Sequence, residues 1–453
     1  MEEQKQKFHQ TPGFRVGLKL AVLIVLLLIL LIPLALIRAV VEEREQRRDA
    51  ALTEIVDLQG GSQLIVGPLV SLPVTVGYVD DQGVARSRTE TVMIVPSELR
   101  VDAAIVPEVL SRGIYQVPVY EVAGTIEGAV GLPTLDQLPL ANVRRVHWDQ
   151  AELVLGISGV AGIRTSPTVT IDGTEQAVAS SGGVGPASAG VAAPLRGAGP
   201  QTQHRFTVAL ALSGGGGFHM LPTAIGSSVA IDSSWPSPSF SGDLLPTERQ
   251  LSDDGFSATW ETTALGMGMP PLWVGGRNAT PWLNSSRVGV ELYQPVGHYQ
   301  QTLRSVKYGA LFLLLPFAAL FLLEVFTGVR IHPIQYLFVA AAKTVFYLLL
   351  LSLSEQIAFE AAYWIGAAAT AVLVAVYVGA FLYRRGHAWI IGAMITGEYL
   401  FLFAALQSED YALLIGSLGL FALVALMMIV TRKIDWYRGA ATDAAGSEPT
   451  VRN

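Results

Sequence analysis

Two charged residues lie inside apolar runs near the C-terminal end of the sequence, where a charge is costly. Lys343 stands in VAAAKTVFYLLLLSLSEQ, and Glu398 stands in ITGEYLF. A lone charge at the centre of a bilayer costs about 2.5–3.5 kcal/mol on insertion scales. Pairing with an opposite charge offsets part of that cost, and the same groups can also line a proton or substrate path. The sequence leaves both interpretations open: a structural joint between helices, and a transport or sensing site.

The two charges are expected to lie at a similar depth in the membrane. Lys343 is about nine residues into its apolar run and Glu398 about ten residues into its own, which is a difference of a few ångströms at about 1.5 Å per residue. We therefore predict an intramembrane ion pair between them. A third ionisable residue, Glu324 in LFLLEVFTG, is a candidate intramembrane polar group that is expected to contact water or Arg330.

Motifs for the common enzyme classes are absent from the sequence. There is no G-x-x-x-x-G-K-[ST], no H-E-x-x-H, no G-x-S-x-G and no S-x-x-K. The chain also has no cysteine, which excludes disulfides, Cys-ligated zinc, iron–sulfur clusters and a thiol nucleophile. We expect no catalytic residue, metal or cofactor and a protein that is not an enzyme. A hydrolase without a recognisable motif is kept as an alternative hypothesis. It requires that folding bring together a base and a nucleophile that are distant in the sequence.

The composition indicates several membrane spans beside a large extramembrane part. The chain has 453 residues, 51% apolar and 15% charged, with a mean hydropathy of +0.45. Its net charge of −7 and the lack of a long basic block argue against nucleic-acid binding. Apolar runs of about 20 residues predict a transmembrane helix at 16–38 and a five-helix transmembrane bundle at 307–430. Cytoplasmic segments at 1–15 and 431–453 would flank them.

Charges in the short connections predict the orientation of the spans. Alternate connections are basic, with Arg330 and with Arg384 and Arg385, and the basic residues Arg432 and Lys433 follow the sixth span. The connections between them are acidic, with Glu355, Glu360, Glu409 and Asp410. The positive-inside rule then predicts a multi-pass protein of the bacterial inner membrane, with both termini cytoplasmic and segment 39–303 in the periplasm. The lipid bilayer is its first expected partner.

The periplasmic segment is predicted to form a β-rich domain inserted between the first and second spans. A helix is expected to continue from the first span as far as Gly60 and Gly61, after which apolar residues recur with a period of two. QLIVGPLVSLPVTVGYV predicts two strands broken at Gly67–Pro68. The fold class is an α-helical membrane protein with six transmembrane helices and a large all-β domain, expected to be an antiparallel sandwich or barrel.

Two stretches of this domain stand out by composition. Segment 173–203 consists mainly of Gly, Ala, Ser and Pro, which predicts a flexible loop or an interruption between two β halves. SSWPSPSFSGDLLPTERQLSDDGFSATW contains four aromatic residues, Trp235, Phe240, Phe256 and Trp260. They form either a candidate aromatic binding surface or a structural corner in which the rings pack inward.

The chain resembles the CreD family of bacterial inner-membrane proteins, which are described as cell envelope integrity proteins. The stretches that carry the resemblance are LLIPLALIR, VEEREQRRDAA, VGPLVSLPV, SSWPSPSFSGDLLP, GFSATW, ELYQPVGHYQQTLRSVKYGALF, VRIHPIQYLFV, FYLLLLSLSEQIAF and VTRKIDWY. The resemblance covers nearly the whole length apart from segment 173–203. It implies a link to the Cre two-component regulon, a role in envelope integrity and stress response, and tolerance to colicins and some β-lactams. It implies no established enzymatic activity.

Two functions of different classes follow from these features. The first is a non-enzymatic envelope protein whose periplasmic domain binds an envelope or periplasmic protein or ligand. The second is a transporter or lipid-handling protein that uses Lys343 and Glu398.

Overall fold

A computed structural model describes residues 12–275, 286–292, 297–327, 329–381, 385–408 and 412–432. Most of the predicted cytoplasmic segments 1–15 and 431–453 lies outside these ranges. So do Arg384, Glu409, Asp410 and Lys433, four of the charges that predict the orientation. The chain divides into two compact units, Met1–Arg47 with Val296–Asn453, and Arg48–Pro295.

Six helices in the described ranges are long and apolar enough to cross a membrane, and a β-rich domain lies between the first and the second. This confirms the predicted fold class. Together with one shorter helix, the α-helices of the described ranges are α1 Pro12–Leu58, α2 His298–Lys307, α3 Gly309–Thr327, α4 Pro333–Ser354, α5 Phe359–Phe381, α6 Arg385–Gln407 and α7 Ala412–Thr431. Of these, α2 is the short helix that does not qualify as a span.

Helix α1 continues past its apolar part for a local reason. From Val40 to Leu58 the sequence contains neither Gly nor Pro and is rich in good helix formers. The helix ends where Gly60 and Gly61 take positive φ angles of 104° and 74°. The amide of Gly61 donates to the carbonyl of Val56 at 2.8 Å, which satisfies one of the last free helical carbonyls.

The β domain contains two sheets. Its strands are β1 Gln63–Val79, β2 Ala85–Ile94, β3 Glu98–Arg112, β4 Tyr115–Gly131, β5 Val143–Val146, β6 Glu152–Ile157, β7 Thr168–Ile171, β8 Thr174–Gln176, β9 Ala179–Val184, β10 Ala187–Pro194, β11 Gln203–Gly215, β12 Gly217–Leu221, β13 Gly226–Ser233, β14 Pro238–Phe240, β15 Glu248–Ser252, β16 Gly255–Thr263, β17 Leu272–Val274 and β18 Val288–Leu292. The ten-stranded sheet A has the order β14-β18-β12-β1-β6-β10-β9, with β2 and β5 also on β1 and β17 on β2. The eight-stranded sheet B has the order β15-β16-β13-β3-β4-β11-β7-β8.

The period-two pattern places one face of each sheet in a shared core. Phe206, Val208 and Leu212 of β11 are buried, as are Val288 and Val290 of β18. One hydrophobic cluster combines such residues from both sheets, which makes the domain a sandwich. Most strand pairs are antiparallel, as expected, but β1 pairs with β12 and β3 with β13 in parallel.

Strand β1 differs from its prediction as two separate strands. It runs without interruption through Gly67–Pro68, and its pairing with β6 shifts register between Val66 and Leu69. The local break signal therefore produces an irregularity within one strand, because the neighbouring strands supply partners on both sides of it.

Segment 173–203 is not a flexible loop, and this expectation is wrong. The segment contains β8, β9 and β10, and Val184 and Ala187 are fully buried. Its small residues allow strands to approach closely: a Cβ atom added to Gly190 would lie only 2.2 Å from the carbonyl oxygen of Leu155. A composition typical of disorder is here the composition that a crowded sheet requires.

Gly190→Ala is therefore expected to destabilise the β domain by about 1–3 kcal/mol, because the added methyl group forces β6 and β10 apart. Gly226→Ala is the matched control, since a Cβ atom there meets nothing within 4 Å. The measurement is proteolysis of the detergent-solubilised full-length chain after brief exposure to increasing urea. Equal midpoints for the two variants would contradict the close packing of β10.

The helical bundle has an aromatic core. Rings of α4, α5 and α6 meet in it, with centroid distances of 5.6 Å between Phe346 and Tyr363 and 4.8 Å between Phe346 and Tyr399. Helix α7 uses glycines for its contacts: Gly416 faces the ring of Tyr308 and Gly419 faces the ring of Phe401. Such small residues permit close helix packing in lipid.

Candidate functional site

The structure brings Lys343 of α4 and Glu398 of α6 together in the interior of the bundle. The Lys343 ammonium donates a hydrogen bond to Glu398 Oε2. Their side chains are only 1% and 2% exposed. The two groups form an ion pair between helices that are distant in sequence, and each charge depends on the other because neither reaches solvent.

Aromatic rings surround this ion pair. The Lys343 Nζ atom lies 5.6 Å from the ring centroid of Phe312 and 5.7 Å from that of Tyr399. Ring faces attract a cation at such distances, most strongly where water is excluded. Tyr363, also buried, donates from its hydroxyl to the carbonyl of Tyr399 at 2.6 Å and so connects α5 to α6 beside Glu398. The site is a sealed, aromatic-lined ion pair.

One oxygen of Glu398 has no hydrogen-bond partner in the described part of the chain. Oε2 accepts from Lys343, whereas Oε1 is buried without a donor. A buried carboxylate oxygen usually accepts a hydrogen bond from protein or water. This unsatisfied atom is the feature of the site that packing alone does not explain.

Glu324 lies in a second charged group, and its partner is Lys19 of α1 instead of Arg330, which is exposed. Lys19 bonds to both carboxylate oxygens of Glu324 and donates to the carbonyl of Ile331 at 2.6 Å. The hydroxyl of Tyr336 donates to Glu324 Oε2 at 3.2 Å. This group joins α1 to α3 and α4.

A third group contacts α1 towards the other end of the bundle. The Tyr299 hydroxyl donates to Glu355 Oε1 at 2.9 Å, and Arg44 Nη1 lies 3.9 Å from the same oxygen. The helix measures about 37 Å from Lys19 to Arg44 at about 1.5 Å per residue, somewhat more than the roughly 30 Å of a hydrocarbon core. Charged contacts therefore attach α1 to the bundle at two levels whose separation slightly exceeds the thickness of a hydrocarbon core.

Sequence reasoning missed Lys19 and Arg44 as partners. Lys19 was visible only as a charge in the first turn of an apolar run, and no local pattern shows which later helix lies beside it. The signal that could have suggested this pair was the position and sign of the two charges. Lys19 and Glu324 carry opposite charges, and each lies near the predicted cytoplasmic end of a span.

The four aromatic residues do not form one exposed surface. Trp260 is 1% exposed and Phe256 is 5% exposed, so neither ring can contact a ligand. The half-buried Phe240 packs edge-on against both, with centroid distances of 5.7 Å to Phe256 and 6.0 Å to Trp260. The half-buried Trp235 packs against the same core. This burial corresponds to the structural corner and not to the candidate binding surface.

An open hollow in the β domain offers a more suitable place for a ligand. It has a volume of about 530 Å³, within the usual range for small-molecule sites, and its lining includes Trp148, Asp149 and Arg196. Asp149 and Arg196 are exposed, and Trp148 is half-buried. The hollow combines an aromatic face with charges of both signs. No cluster of three His, Asp or Glu residues that could bind a metal occurs within the described ranges.

These features define a class: a multi-span membrane protein in which a β-rich domain is inserted between the first and second spans. A family model described as "Inner membrane protein CreD" matches residues 15–437. The chain belongs to the CreD family, and the resemblance seen in the sequence is confirmed. It is an inner membrane protein with multiple apolar helices.

The chain is similar to a protein of Escherichia coli described as "Inner membrane protein CreD". The two are 33% identical over 427 residues, which cover 92% of this chain and 93% of that protein. Among solved structures, an M1 zinc metallopeptidase from Deinococcus radiodurans aligns with 37% of this chain and 38% of its own at 12% identity, with a TM-score of 0.22. A likeness this low supports no inference about fold or activity.

Proposed function

We propose that the β domain binds a periplasmic or envelope component and that the helical bundle anchors this domain to the inner membrane. In this proposal the protein supports envelope integrity and the stress response linked to the Cre regulon, including colicin tolerance, and the binding role itself needs no catalytic step. The observation that carries the proposal is the open hollow beside Trp148, in a domain with its own core, while the Lys343–Glu398 pair of the bundle is sealed.

The binding role requires the β domain to lie outside the cytoplasm. Arg330 and Arg432 support this orientation, since each follows the end of a span on the side opposite to Glu355 and Glu360. A fusion of alkaline phosphatase at Phe240 is expected to be active and a fluorescent-protein fusion there dark, with the reverse after Arg385. Fluorescence from the fusion at Phe240 would contradict the proposed orientation.

Photo-crosslinking in native membranes tests the binding site. A photoreactive phenylalanine analogue at position 148 is expected to give a discrete adduct, identified by mass spectrometry, because the position lines the hollow. Val106, which is 65% exposed on β3 and does not line the hollow, is the matched control position. Arg196→Ala should lower the adduct yield at position 148 several-fold. Adducts of equal yield at positions 106 and 148, or none at 148, would count against binding in the hollow.

A transporter or lipid-handling protein is the second candidate function. The unsatisfied Oε1 atom of Glu398 favours it, since a buried carboxylate with a spare acceptor can receive a proton or a substrate donor. The aromatic shell around the ion pair argues against it, because transport requires access for water or substrate. Substitutions of Lys343 and Glu398, measured for both stability and growth, separate the two candidate functions.

A further inference from the structure

Three neighbouring strands near one edge of sheet A place a serine and a histidine on either side of a glycine. His219 of β12 is paired with Gly289 of β18. On the other side of β18, the amide of Ser241, directly after β14, donates to the carbonyl of Gly289 at 3.1 Å. The order across the sheet is therefore Ser241, Gly289, His219.

The missing side chain at position 289 allows the histidine to reach the serine. A Cβ atom on Gly289 would lie 2.7 Å from His219 Cδ2, so any other residue there would displace the imidazole. The ring lies across β18, and its Nε2 atom is 2.8 Å from Ser241 Oγ. This is the distance expected between a nucleophilic hydroxyl and its general base.

A carboxylate side chain lies near the opposite edge of the same ring. Glu291 of β18 is paired with Gly217 of β12. The position of a Cβ atom on Gly217 is 3.2 Å from both Glu291 Cγ and His219 Nδ1. The Glu291 side chain and the Nδ1 edge of His219 therefore share the space that a second glycine leaves open.

We propose that Ser241, His219 and Glu291 act as a nucleophile, a general base and a supporting carboxylate that together hydrolyse carboxylic esters. The Ser241–His219 contact matches the arrangement of a nucleophile and its general base, and Glu291 acts on the ring through its nearby charge. This activity goes beyond the binding role proposed above and involves different residues. It opposes the expectation that the chain is not an enzyme, and one experiment decides between them.

The proposed reaction has two steps, the formation of an acyl–serine ester and its hydrolysis. Ser241 Oγ attacks the ester carbonyl carbon while His219 Nε2 takes the hydroxyl proton; the bond to the leaving alkoxide breaks, and His219 returns that proton to release an alcohol. Water then attacks the acyl–serine ester with His219 again as base. The carboxylic acid leaves, and Ser241 regains its proton.

The surroundings of His219 favour the neutral ring that a general base needs. Burial is the main effect and lowers the pKa of His219, the charge of Glu291 raises it, and the charge of Arg287 lowers it again. Asp243 lies 3.8 Å from Arg287 and partly balances that charge. Because the net pKa shift is downward, the active fraction should reach half its maximum below pH 6.5, the ordinary value for histidine.

The test uses the full-length chain in detergent micelles, with a fluorophosphonate probe and p-nitrophenyl butyrate. The expected result is one covalent label, located on Ser241 by peptide mass spectrometry, together with ester hydrolysis, both lost in Ser241→Ala. Ser239→Ala is the matched control: this serine is half-buried like Ser241, lies two residues earlier and is paired with Glu291. It should label and hydrolyse as the unchanged chain does.

Two further variants distinguish a chemical role from a structural one. His219→Gln should lower the labelling rate about 100-fold while thermal unfolding stays similar, since general-base catalysis contributes about 10²–10⁴-fold. Glu291→Gln should move the midpoint of the pH–rate profile to lower pH, because it removes the charge that raises the pKa of His219. The absence of any label in the folded chain, or equal labelling of Ser241→Ala and the unchanged chain, would overturn the proposal.

Discussion

Lys343→Met is expected to destabilise the helical bundle by about 3–5 kcal/mol, because removal of one partner leaves the other charge buried without compensation. Glu398 would then keep a carboxylate only 2% exposed among aromatic rings, with neither oxygen paired. The measurement is the unfolding midpoint of the full-length chain in mixed micelles with increasing sodium dodecyl sulfate. Lys307→Met is the control, since Lys307 is exposed and its loss should cost no more than about 0.5 kcal/mol.

Combined changes at the two positions show whether the charges are structural or functional. The double variant Lys343→Met with Glu398→Met should recover most of the stability, because well-packed apolar residues often replace a buried ion pair without loss. The exchanged pair, Lys343→Glu with Glu398→Lys, should also recover much of it. Growth of a deletion strain under envelope stress is measured in parallel.

The outcomes distinguish the two candidate functions. If both combined variants restore stability and growth, the pair is a joint between α4 and α6. If they restore stability while growth stays impaired, the charges act in transport or sensing. An unchanged midpoint for Lys343→Met would contradict the sealed geometry itself.

Trp260→Ala is expected to destabilise the β domain by about 3–5 kcal/mol through loss of a large buried ring. The indole is 1% exposed, packs against Phe240, and donates from Nε1 to the carbonyl of Leu244 at 3.2 Å. Removing it leaves a cavity between β16 and the turn that precedes β15, and it also leaves that carbonyl without its donor.

Trp235→Ala provides the comparison, because this ring is only half-buried and its Nε1 donates locally to the Ser237 carbonyl. We expect the urea midpoint in the proteolysis assay to fall much further for Trp260→Ala than for Trp235→Ala. The opposite order would mean that Trp260 is accessible and would return the aromatic stretch to the role of a binding surface.

The sequence by itself determined the membrane spans and the existence of the β-rich domain. The number of spans, the position of the β-rich domain and the period-two pattern of its strands were all predictable. The reason is that the hydropathy of a residue and its period along the chain depend on its own side chain, so span length and strand alternation are legible without knowledge of the fold.

Tertiary structure decided which distant residues meet. Lys343 and Glu398 could be placed at one depth from sequence, but Lys19 could not be assigned to Glu324, because the choice depends on which helices become neighbours. The small residues of 173–203 indicated flexibility until crowding in sheet A gave them a packing role. His219 and Ser241 meet only because pairing places Gly289 between them, and no local pattern encodes the register of three strands.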